Sequence, residues 1–287
     1  MSHKLDHRPF LVPPGQEIQL SDYDPRYCAG LKNKKEGKAA LLEDISDLAE
    51  AQSLLWANQD RAVLIIFQAL DAAGKDGSIK HVMSGVNPQG VDVHAFKAPS
   101  DEERLHHFLW RPQRVLPARG RIAIFNRSYY EEVLVVRVHP KYLESQFLPS
   151  RVRDEPLADL WQSRYRDINE FERVATENDI CVIKFFLNVS MDEQRERFIE
   201  RLENPAKNWK FSAADLRERE RWDDYQVAFE DALNATSTEA APWYVIPADR
   251  KWYRNLVVAR IMVDTLKKLN MEFPPIDWDP SAMVVGD

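Results

Sequence analysis

The sequence predicts an α/β fold in three layers, with a parallel central sheet and helices on both of its faces. Five short and nearly continuous apolar segments alternate along the chain with longer segments of helical periodicity. The apolar segments are residues 62–67, 91–96, 121–125, 180–189 and 243–248. A strand that helices cover on both faces is apolar on both sides, so it lacks the alternation of a half-exposed strand. Strands that alternate with helices are typical of a parallel sheet.

Helical periodicity, with apolar residues three or four positions apart, connects these strands. The predicted helices are residues 35–58, 77–86, 101–112, 156–177, 191–202, 215–236 and 253–269. We expect Pro112 to end the helix that contains it, because proline cannot continue the hydrogen-bond ladder.

The element order predicts one domain, from residue 35 to about 270, between two less regular termini. Residues 1–34 form a predicted arm that contains Pro13 and Pro14, and residues 271–287 form a predicted extended tail. Within the domain, residues 204–222 begin as a polar and basic stretch without periodicity. A basic loop between two helices, late in an α/β fold, predicts a lid that covers phosphates and excludes water.

Composition excludes several classes of protein. Hydrophobic residues make up 44% of the chain and charged residues 30%, as in ordinary globular proteins. The formal charge of -7 argues against a general nucleic-acid binder but leaves room for a local basic groove. Cys28 and Cys181 form neither a metal-ligand spacing nor a disulfide framework. The N-terminus lacks an apolar signal core and no segment reaches the roughly 18 apolar residues of a membrane span, so we expect a cytoplasmic protein without membrane partners.

The loop after the first predicted strand has the features of a phosphate-binding site. Residues 67–80 read FQALDAAGKDGSIK and lead into a predicted helix. Gly74 allows the backbone to approach a ligand closely, Lys75 can neutralise a phosphoryl group, and the N–H groups at a helix start can bind phosphate. A solvated turn is the alternative, but ligands of open α/β sheets bind at the carboxyl ends of strands, which favours a binding site.

Two acidic residues distinguish this loop from the common pattern. Ala69 stands where glycine is usual, Asp76 stands where serine or threonine is usual, and Asp71 adds a second carboxylate. Two carboxylates beside a phosphate chain would repel it unless a divalent metal lies between them. Mg²⁺ is commonly held by one or two carboxylates plus phosphate oxygens. The loop therefore predicts a metal-dependent transfer site with Asp71 and Asp76 as candidate ligands, although Asp76 could instead only cap the helix.

The third predicted strand ends in the sequence NRSYYEE. Strands at this position usually end in an acid that holds Mg²⁺, whereas this chain has the neutral Asn126. Arg127 follows and can stabilise charge on a transferring phosphoryl group. Glu131 is a further candidate metal ligand, although Glu131 and Glu132 could equally well only open a helix.

Basic residues form two groups on this acidic chain. They are Arg111, Arg114, Arg119, Arg121, Arg127 and Arg137 in the first, and Lys207, Lys210, Arg217, Arg219 and Arg221 in the second. Acidic residues four positions away make a charged helix face the alternative for part of the second group. Taken together, the two groups suit a substrate that carries many phosphates.

Five motifs, in order along the chain, resemble the family-2 polyphosphate kinases. They are DAAGKDG (71–77), FNRSYYEEVLVVRV (125–138), NPAKNWKFSAADL (204–216), RWDDY (221–225) and APWYVIPADRKWYRN (241–255). The resemblance covers residues 35–270 and implies a P-loop kinase fold close to thymidylate kinase, with a helical lid. It also implies phosphoryl transfer between inorganic polyphosphate and adenine or guanine nucleotides, with Mg²⁺ or Mn²⁺, by a homo-oligomer that is a dimer or tetramer.

The resemblance further implies roles for individual residues. Asp71, Lys75 and Arg127 carry the reaction. Contacts to phosphate or nucleotide are implied for Ala72, Ala73, Gly74, Asp76, Gly77, Asn126, Tyr130, Glu131 and Arg137. Contacts to polyphosphate are implied for Arg111, Arg114, Arg121, Lys207, Lys210, Arg217 and Arg221.

Asn126 places the chain within the family, because the first subclass has aspartate at this position. Asparagine followed by RSYYEEVLVVRV resembles the third subclass, whose members phosphorylate nucleoside mono- and diphosphates. Two other functions stay open on the residues alone: an ATP-dependent nucleoside monophosphate kinase, and a non-catalytic sensor of nucleotides or polyphosphate. The number of basic residues disfavours the first, and the joint presence of Asp71, Lys75 and Arg127 disfavours the second.

Overall fold

The predicted parallel sheet is confirmed. The computed structural model describes residues 5–31, 33–153, 155–283 and 285. Its five strands all run parallel, in the order β2-β3-β1-β4-β5. They are β1 (Ala62–Gln68), β2 (Val91–Ala95), β3 (Ile122–Asn126), β4 (Ile180–Asn188) and β5 (Trp243–Pro247). All seven residues of the central strand β1 are buried, which explains why its sequence is a continuous apolar run.

Helices cover both faces of the sheet. They are α1 (Lys34–Asn58), α2 (Lys75–Val82), α3 (Asp101–Arg104), α4 (Trp110–Gln113), α5 (Val135–Val138), α6 (Ser150–Arg153), α7 (Leu157–Glu177), α8 (Met191–Glu203), α9 (Ala213–Arg219), α10 (Trp222–Thr236) and α11 (Lys251–Lys268). One hydrophobic core joins the sheet to α1, α2 and α11, and a second joins it to α5, α7 and α10. No helix among the described residues is long and apolar enough to cross a membrane.

The helix predicted over residues 101–112 is wrong as one element, because the structure has two short helices there. A capping box of Ser100 and Glu103 begins α3, which ends at Arg104, and α4 begins at Trp110. In a continuous helix, the ring of Pro112 would clash with the carbonyl four residues earlier. Restarting at Trp110 places Pro112 in the first turn, where a missing N–H costs nothing.

The single helix predicted over residues 215–236 is also wrong, because it is divided into α9 and α10. Tyr225, Ala228, Phe229 and three further residues of α10 are buried, whereas α9 has no buried residue. The two segments therefore pack against different surroundings. Local propensity alone does not show this break, since tertiary packing decides it.

The N-terminal arm packs on the domain. Phe10, Val12 and Leu20 are buried in the two cores, and Leu11 forms an antiparallel bridge with Tyr244 of the edge strand β5. The arm therefore covers part of an otherwise open sheet edge. The boundary at residue 34 stays a prediction.

Candidate functional site

The loop between β1 and α2 lies at the carboxyl end of the central strand. Ala72 and Gly74 adopt the left-handed backbone conformation, with φ of 61° and 106°. Glycine is needed at position 74 for a second reason, because a Cβ there would lie 2.1 Å from a guanidinium nitrogen of Arg254. Ala69 is buried and has no positive φ, so alanine replaces the usual first glycine without backbone strain.

Lys75 is the first residue of α2, and its ammonium group reaches back across the loop. Nζ donates to the carbonyl oxygen of Ala69 at 2.9 Å, and the residue is only 9% exposed. Burial, together with the nearby charge of Arg127, lowers the pKa of Lys75 to about 8. A bound phosphate would favour the charged form, so Lys75 is suited to neutralise one.

Arg127 joins the loop to the turn after β3. Its guanidinium donates to Asp71 at 2.6 Å and to Glu131 at 3.1 Å. Its backbone, at φ of 63°, donates from N–H to the carbonyl of Phe67 at 3.0 Å. The attraction of Glu131 raises the pKa of Arg127 in spite of burial, so the guanidinium stays charged. Arg127 is thus fixed between two carboxylates at the ends of neighbouring strands.

Asn126 and Asp76 form a second contact between the same two loops. The amide of Asn126 donates to Oδ1 of Asp76 at 2.7 Å. Asp76 lies in the first turn of α2, where a carboxylate is also favoured by the helix dipole. Its other oxygen makes no hydrogen bond with the described residues, so it is free to face a ligand.

A cavity of about 420 Å³ lies over the loop and the first turn of α2. Asp71, Ala72, Gly74, Lys75, Asp76, Gly77, Asn126 and Arg127 line it. Lys97, which follows β2, also lines it, and so do Trp209 and Lys210 from the predicted lid. The ammonium of Lys210 lies 4.9 Å from the ring centre of Trp209. The cavity therefore combines the phosphate loop with basic residues from two other segments.

A second, narrower cavity of about 30 Å³ lies between the turn after β3 and the helices α9 and α10. Its walls include apolar and aromatic side chains such as Leu134 and Tyr225. Asp71, Arg127 and Asp215 line both cavities. The two cavities therefore adjoin at these residues, although the narrower one has room for only a few water molecules.

The basic residues of the predicted lid differ in their contacts. Lys207 pairs with Glu200, and Arg221 pairs with Asp224 at 2.5 Å. Arg217 is exposed and makes no ion pair with a described residue. Only Lys210 of the four predicted lid contacts lines the larger cavity.

The structure does not bring Arg121 and Arg137 to the loop. Arg121 precedes β3 and forms two hydrogen bonds with Asp92, at 2.8 and 2.9 Å, near the amino ends of the strands. The phosphate loop follows the carboxyl end of β1, so Arg121 lies at the opposite edge of the parallel sheet. Arg137 donates to the hydroxyl of Tyr165 at 2.7 Å and pairs with Asp231. Both arginines thus have protein partners away from the predicted phosphates.

Tyr130 and Ala73 also lie outside the two cavities. The hydroxyl of Tyr130 donates to Glu172 at 2.8 Å in a fully buried network that includes Lys184. This network anchors the turn that carries Arg127, so Tyr130 supports the position of that turn and does not line either cavity. Ala73 is fully buried, and its carbonyl faces two arginines behind the loop.

Arg111 and Arg114 do not line the larger cavity, although Arg111 contacts two residues that do. Arg111 donates to the carbonyl of Lys97 at 2.8 Å, and its guanidinium lies 4.8 Å from the ring centre of Phe96. Arg114 lies 4.6 Å from the ring centre of Trp110. Since Phe96 and Lys97 line the cavity, Arg111 is the nearer of the two.

Reasoning from the sequence missed Lys97, which lines the larger cavity, and also Gln194 and Asp215. Gln194 of α8 donates to the backbone carbonyl of Asp71 at 3.0 Å and accepts from Arg219 of α9 at 2.9 Å, so it links the loop to the predicted lid. Asp215 lines both cavities and pairs with Arg201 at 3.2 Å, and burial followed by the charge of Asp71 raises its pKa. Gln194 lies on a helix whose charge pattern is that of an ordinary solvated face, so the sequence held no signal for it. Asp215 lies within the motif of residues 204–216, but its spacing to basic residues favoured a charge partner on a helix face.

Comparison with known proteins agrees with this geometry. The family model described as polyphosphate kinase 2 matches residues 31–274. The chain is 46% identical over 271 residues to an ADP-polyphosphate phosphotransferase of Rhodopseudomonas palustris, covering 94% of this chain and 93% of the relative. It is 44% identical over 280 residues to an AMP/ADP-polyphosphate phosphotransferase of Meiothermus ruber, covering 96% and 98%. A crystal structure of polyphosphate kinase 2 from Arthrobacter aurescens superposes with a TM-score of 0.87 at 40% identity, covering 96% and 93%.

Proposed function

Because this chain belongs to the polyphosphate kinase 2 family, we propose that it transfers phosphoryl groups reversibly between inorganic polyphosphate and AMP or ADP. The observation that carries the proposal is the larger cavity, which Asp71, Lys75 and Arg127 line at the phosphate loop. Lys97 and Lys210 line the same cavity, where a long anionic chain can enter. At about 30 Å³ the narrower cavity is too small for a nucleotide in this structure, so its aromatic walls at α9 and α10 would have to separate before they could hold one.

The reaction breaks one phosphoanhydride bond and makes another. An oxygen of the acceptor nucleotide's phosphate attacks the terminal phosphorus of polyphosphate, and the shortened chain leaves with the electrons of the broken P–O bond. The attacking oxygen is already ionised, so no strong general base is needed. Lys75 and Arg127 would stabilise the charge that develops on the transferring group, and the loop would hold both reactants in line.

We propose Mg²⁺ or Mn²⁺ as the cofactor, and the available oxygen donors fit such an ion. One oxygen of Asp71 accepts from Arg127, and the other has no hydrogen-bond partner among the described residues. Asp76 offers a free oxygen in the same cavity. No cluster of three or more ligating side chains occurs in the described part of the chain, and Mg²⁺ typically uses one or two carboxylates with phosphate oxygens. When bound, the ion would neutralise phosphate charge. Glu131 is the weaker candidate because one of its oxygens accepts from Arg127 and the other lies 2.9 Å from the side-chain amide of Gln68.

A single assay tests this function against its alternatives. The chain is incubated with AMP or ADP, Mg²⁺ and long-chain polyphosphate, and the nucleotides are separated by chromatography. We expect ADP and ATP to form. If product forms only when ATP replaces polyphosphate as the donor, the chain is instead a nucleoside monophosphate kinase. If no product forms with either donor, the chain is a sensor. We also expect a homo-oligomer, a dimer or tetramer, which light scattering of the purified protein tests.

A further inference from the structure

Two buried arginines lie behind the phosphate loop, outside both cavities. Arg197 of α8 donates to the carbonyl oxygens of Ala72 at 2.9 Å and Ala73 at 2.7 Å. Arg254 of α11 donates to the same oxygen of Ala73 at 2.7 Å. Arg254 is 3% exposed and Arg197 is 6% exposed. Loop carbonyls thus point backwards to these guanidinium groups, which leaves the N–H groups of the loop and helix start to face the cavity.

The two guanidinium groups have unequal charge partners. Arg197 pairs with Glu193 at 2.8 Å. Arg254 instead has the side-chain oxygen of Asn255, at 3.2 Å from Nε and 3.0 Å from Nη2, and no carboxylate of the described residues forms an ion pair with it. Burial, and then the charge of Arg197, lower the pKa of Arg254 to about 9. A buried cation without a counter-ion is costly, so its presence calls for an explanation.

The unpaired guanidinium lies directly against the backbone that would hold phosphate. A Cβ on Gly74 would lie 2.1 Å from Nη1 of Arg254, and a Cβ on Gly77 would lie 3.5 Å from Nη2. These residues flank the start of α2, where the helix dipole already favours an anion. The charge of Arg254 therefore adds to the field of the helix terminus across a single layer of backbone.

We propose that Arg254 is a positioning residue that supplies a fixed positive charge behind the phosphate loop, with the phosphate chain in front of the loop as its counter-ion. Asn255 contributes to this arrangement, because its amide oxygen orients the guanidinium of Arg254 without neutralising its charge. Ser78 of α2 donates to the same oxygen at 3.3 Å, which ties the pair to the helix start. The inference rests on the proposed function, since it assumes that a phosphate chain binds in the larger cavity.

The substitution Asn255→Asp tests the charge while it keeps the shape. A carboxylate at 255 would retain the acceptor for Arg254 and Ser78 and would form a buried ion pair. We expect affinity for tripolyphosphate, measured by calorimetry at constant ionic strength, to fall about tenfold, as for one unit charge at roughly 10 Å and a dielectric constant of about 20. We expect no loss in thermal midpoint. A purely structural role for Arg254 predicts unchanged affinity in this variant, and that result would overturn the proposal.

Two further variants complete the experiment. Asn270→Asp makes the same charge change just beyond the C-terminal end of α11, roughly 22 Å from position 255 at the rise of a helix, and should bind tripolyphosphate like the wild type. Arg254→Gln removes the positive charge of the guanidinium itself, and its affinity for tripolyphosphate should fall to a similar extent. A wild type that neither binds tripolyphosphate nor uses polyphosphate as donor overturns the proposed function and this inference together. A wild type that does both, with Asn255→Asp unaltered, overturns this inference alone.

Discussion

At the scale of single residues, Arg127 sets the charge balance of the site. It donates to Asp71 and Glu131, which come from different loops. Removal of either carboxylate would leave the guanidinium with one partner, and removal of Arg127 would leave two carboxylates near the phosphates. The site therefore works as a unit, and effects of substitutions within it should not add.

Asp71→Asn should lower kcat by about 10²-fold or more while the fold is retained. The asparagine oxygen can still accept from Arg127, but the charge that we propose for metal binding is gone. Steady-state kinetics with polyphosphate and ADP measures the loss, and thermal denaturation checks the fold. Asp277→Asn, in the exposed C-terminal tail, is the control and should behave as wild type. Wild-type turnover in Asp71→Asn would refute the role of this carboxylate.

The pKa of Lys75 predicts a pH dependence of substrate capture. Because burial and Arg127 lower this pKa to about 8, the ammonium loses its proton as the pH rises through 8 in the free protein. Only the charged form attracts phosphate, so kcat/KM for polyphosphate should fall about tenfold per pH unit well above pH 8. Initial rates between pH 6 and 10 give the profile. In Lys75→Arg, whose guanidinium does not titrate in this range, the descending limb should disappear even if the overall rate is lower.

Residues at the ends of neighbouring strands could be predicted from the sequence, and residues on distant helices could not. Asp71, Lys75 and Arg127 follow β1 and β3, whose carboxyl ends meet at one edge of the sheet. Gln194 and Arg254 reach the same loop from more than a hundred positions away in sequence. Nothing in the local pattern distinguishes Gln194 from other polar helix residues. Arg254 belongs to the motif of residues 241–255, but the motif does not show that this arginine reaches the loop, because only the packing of α11 brings it there.

At the scale of elements, the packing of α1 against α11 depends on a glycine. Gly37 is buried in α1, and a Cβ there would lie 2.2 Å from the ring of Trp252 in α11. The ring fills the space that a side chain would need. This contact sets how closely the start of α11, which carries Arg254, approaches the rest of the fold.

Gly37→Ala should destabilise the protein by up to about 2 kcal/mol, although alanine is the better helix former. Helix propensity alone would favour alanine by about 1 kcal/mol. Overpacking against Trp252 costs typically 1–3 kcal/mol, and the 2.2 Å approach forces the ring or the helix to move. Urea denaturation gives the change in free energy of unfolding. In a Trp252→Leu background the same substitution should be neutral or stabilising, and an equal loss in both backgrounds would exclude the ring as the cause.

The elements themselves were largely predictable, but the breaks between them were not. Apolar runs located all five strands to within one residue at each end. The breaks within residues 101–112 and 215–236 depend on which side chains find a core, as the contrast between α9 and α10 shows. Periodicity shows which face of a segment is apolar, whereas the position of a break depends on the part of the fold against which each face packs.

At the scale of the whole molecule, the strand order places the site. β1 lies in the middle of the sheet, with β3 on one side and β4 on the other. The chain therefore leaves β1 at the point where the direction of the connections reverses, and such points are where open α/β sheets bind ligands. The sequence predicted a parallel sheet but not its order, because strand order depends on contacts between segments far apart in the chain.

The packing of α1 against α11 buries a carboxylate, Asp44, whose pKa is far from its usual value. Asp44 of α1 is fully buried and lies 2.5 Å from Arg260 of α11, yet its oxygens make no well-aligned hydrogen bond among the described residues. Burial outweighs the attraction of Arg260, and the charges of Asp47 and Asp264 act in the same direction as burial. The pKa of Asp44 is thereby raised from 3.8 to about 7.

This pKa predicts how the stability of the fold changes with pH. Between about pH 4 and 7 the folded protein binds a proton at Asp44 that the unfolded chain has released, so the contribution of Asp44 to stability falls as the pH rises. From pH 5 to pH 8 the wild type should lose roughly 2–3 kcal/mol more than Asp44→Asn, in which this group no longer titrates. Urea denaturation of both proteins at the two pH values measures the difference. Asp277→Asn, in the exposed C-terminal tail, should keep the wild-type dependence, because Asp277 is not among the charges that shift the pKa of Asp44. Equal losses in wild type and Asp44→Asn would show that the buried carboxylate is ionised throughout this range, with Arg260 as a sufficient partner.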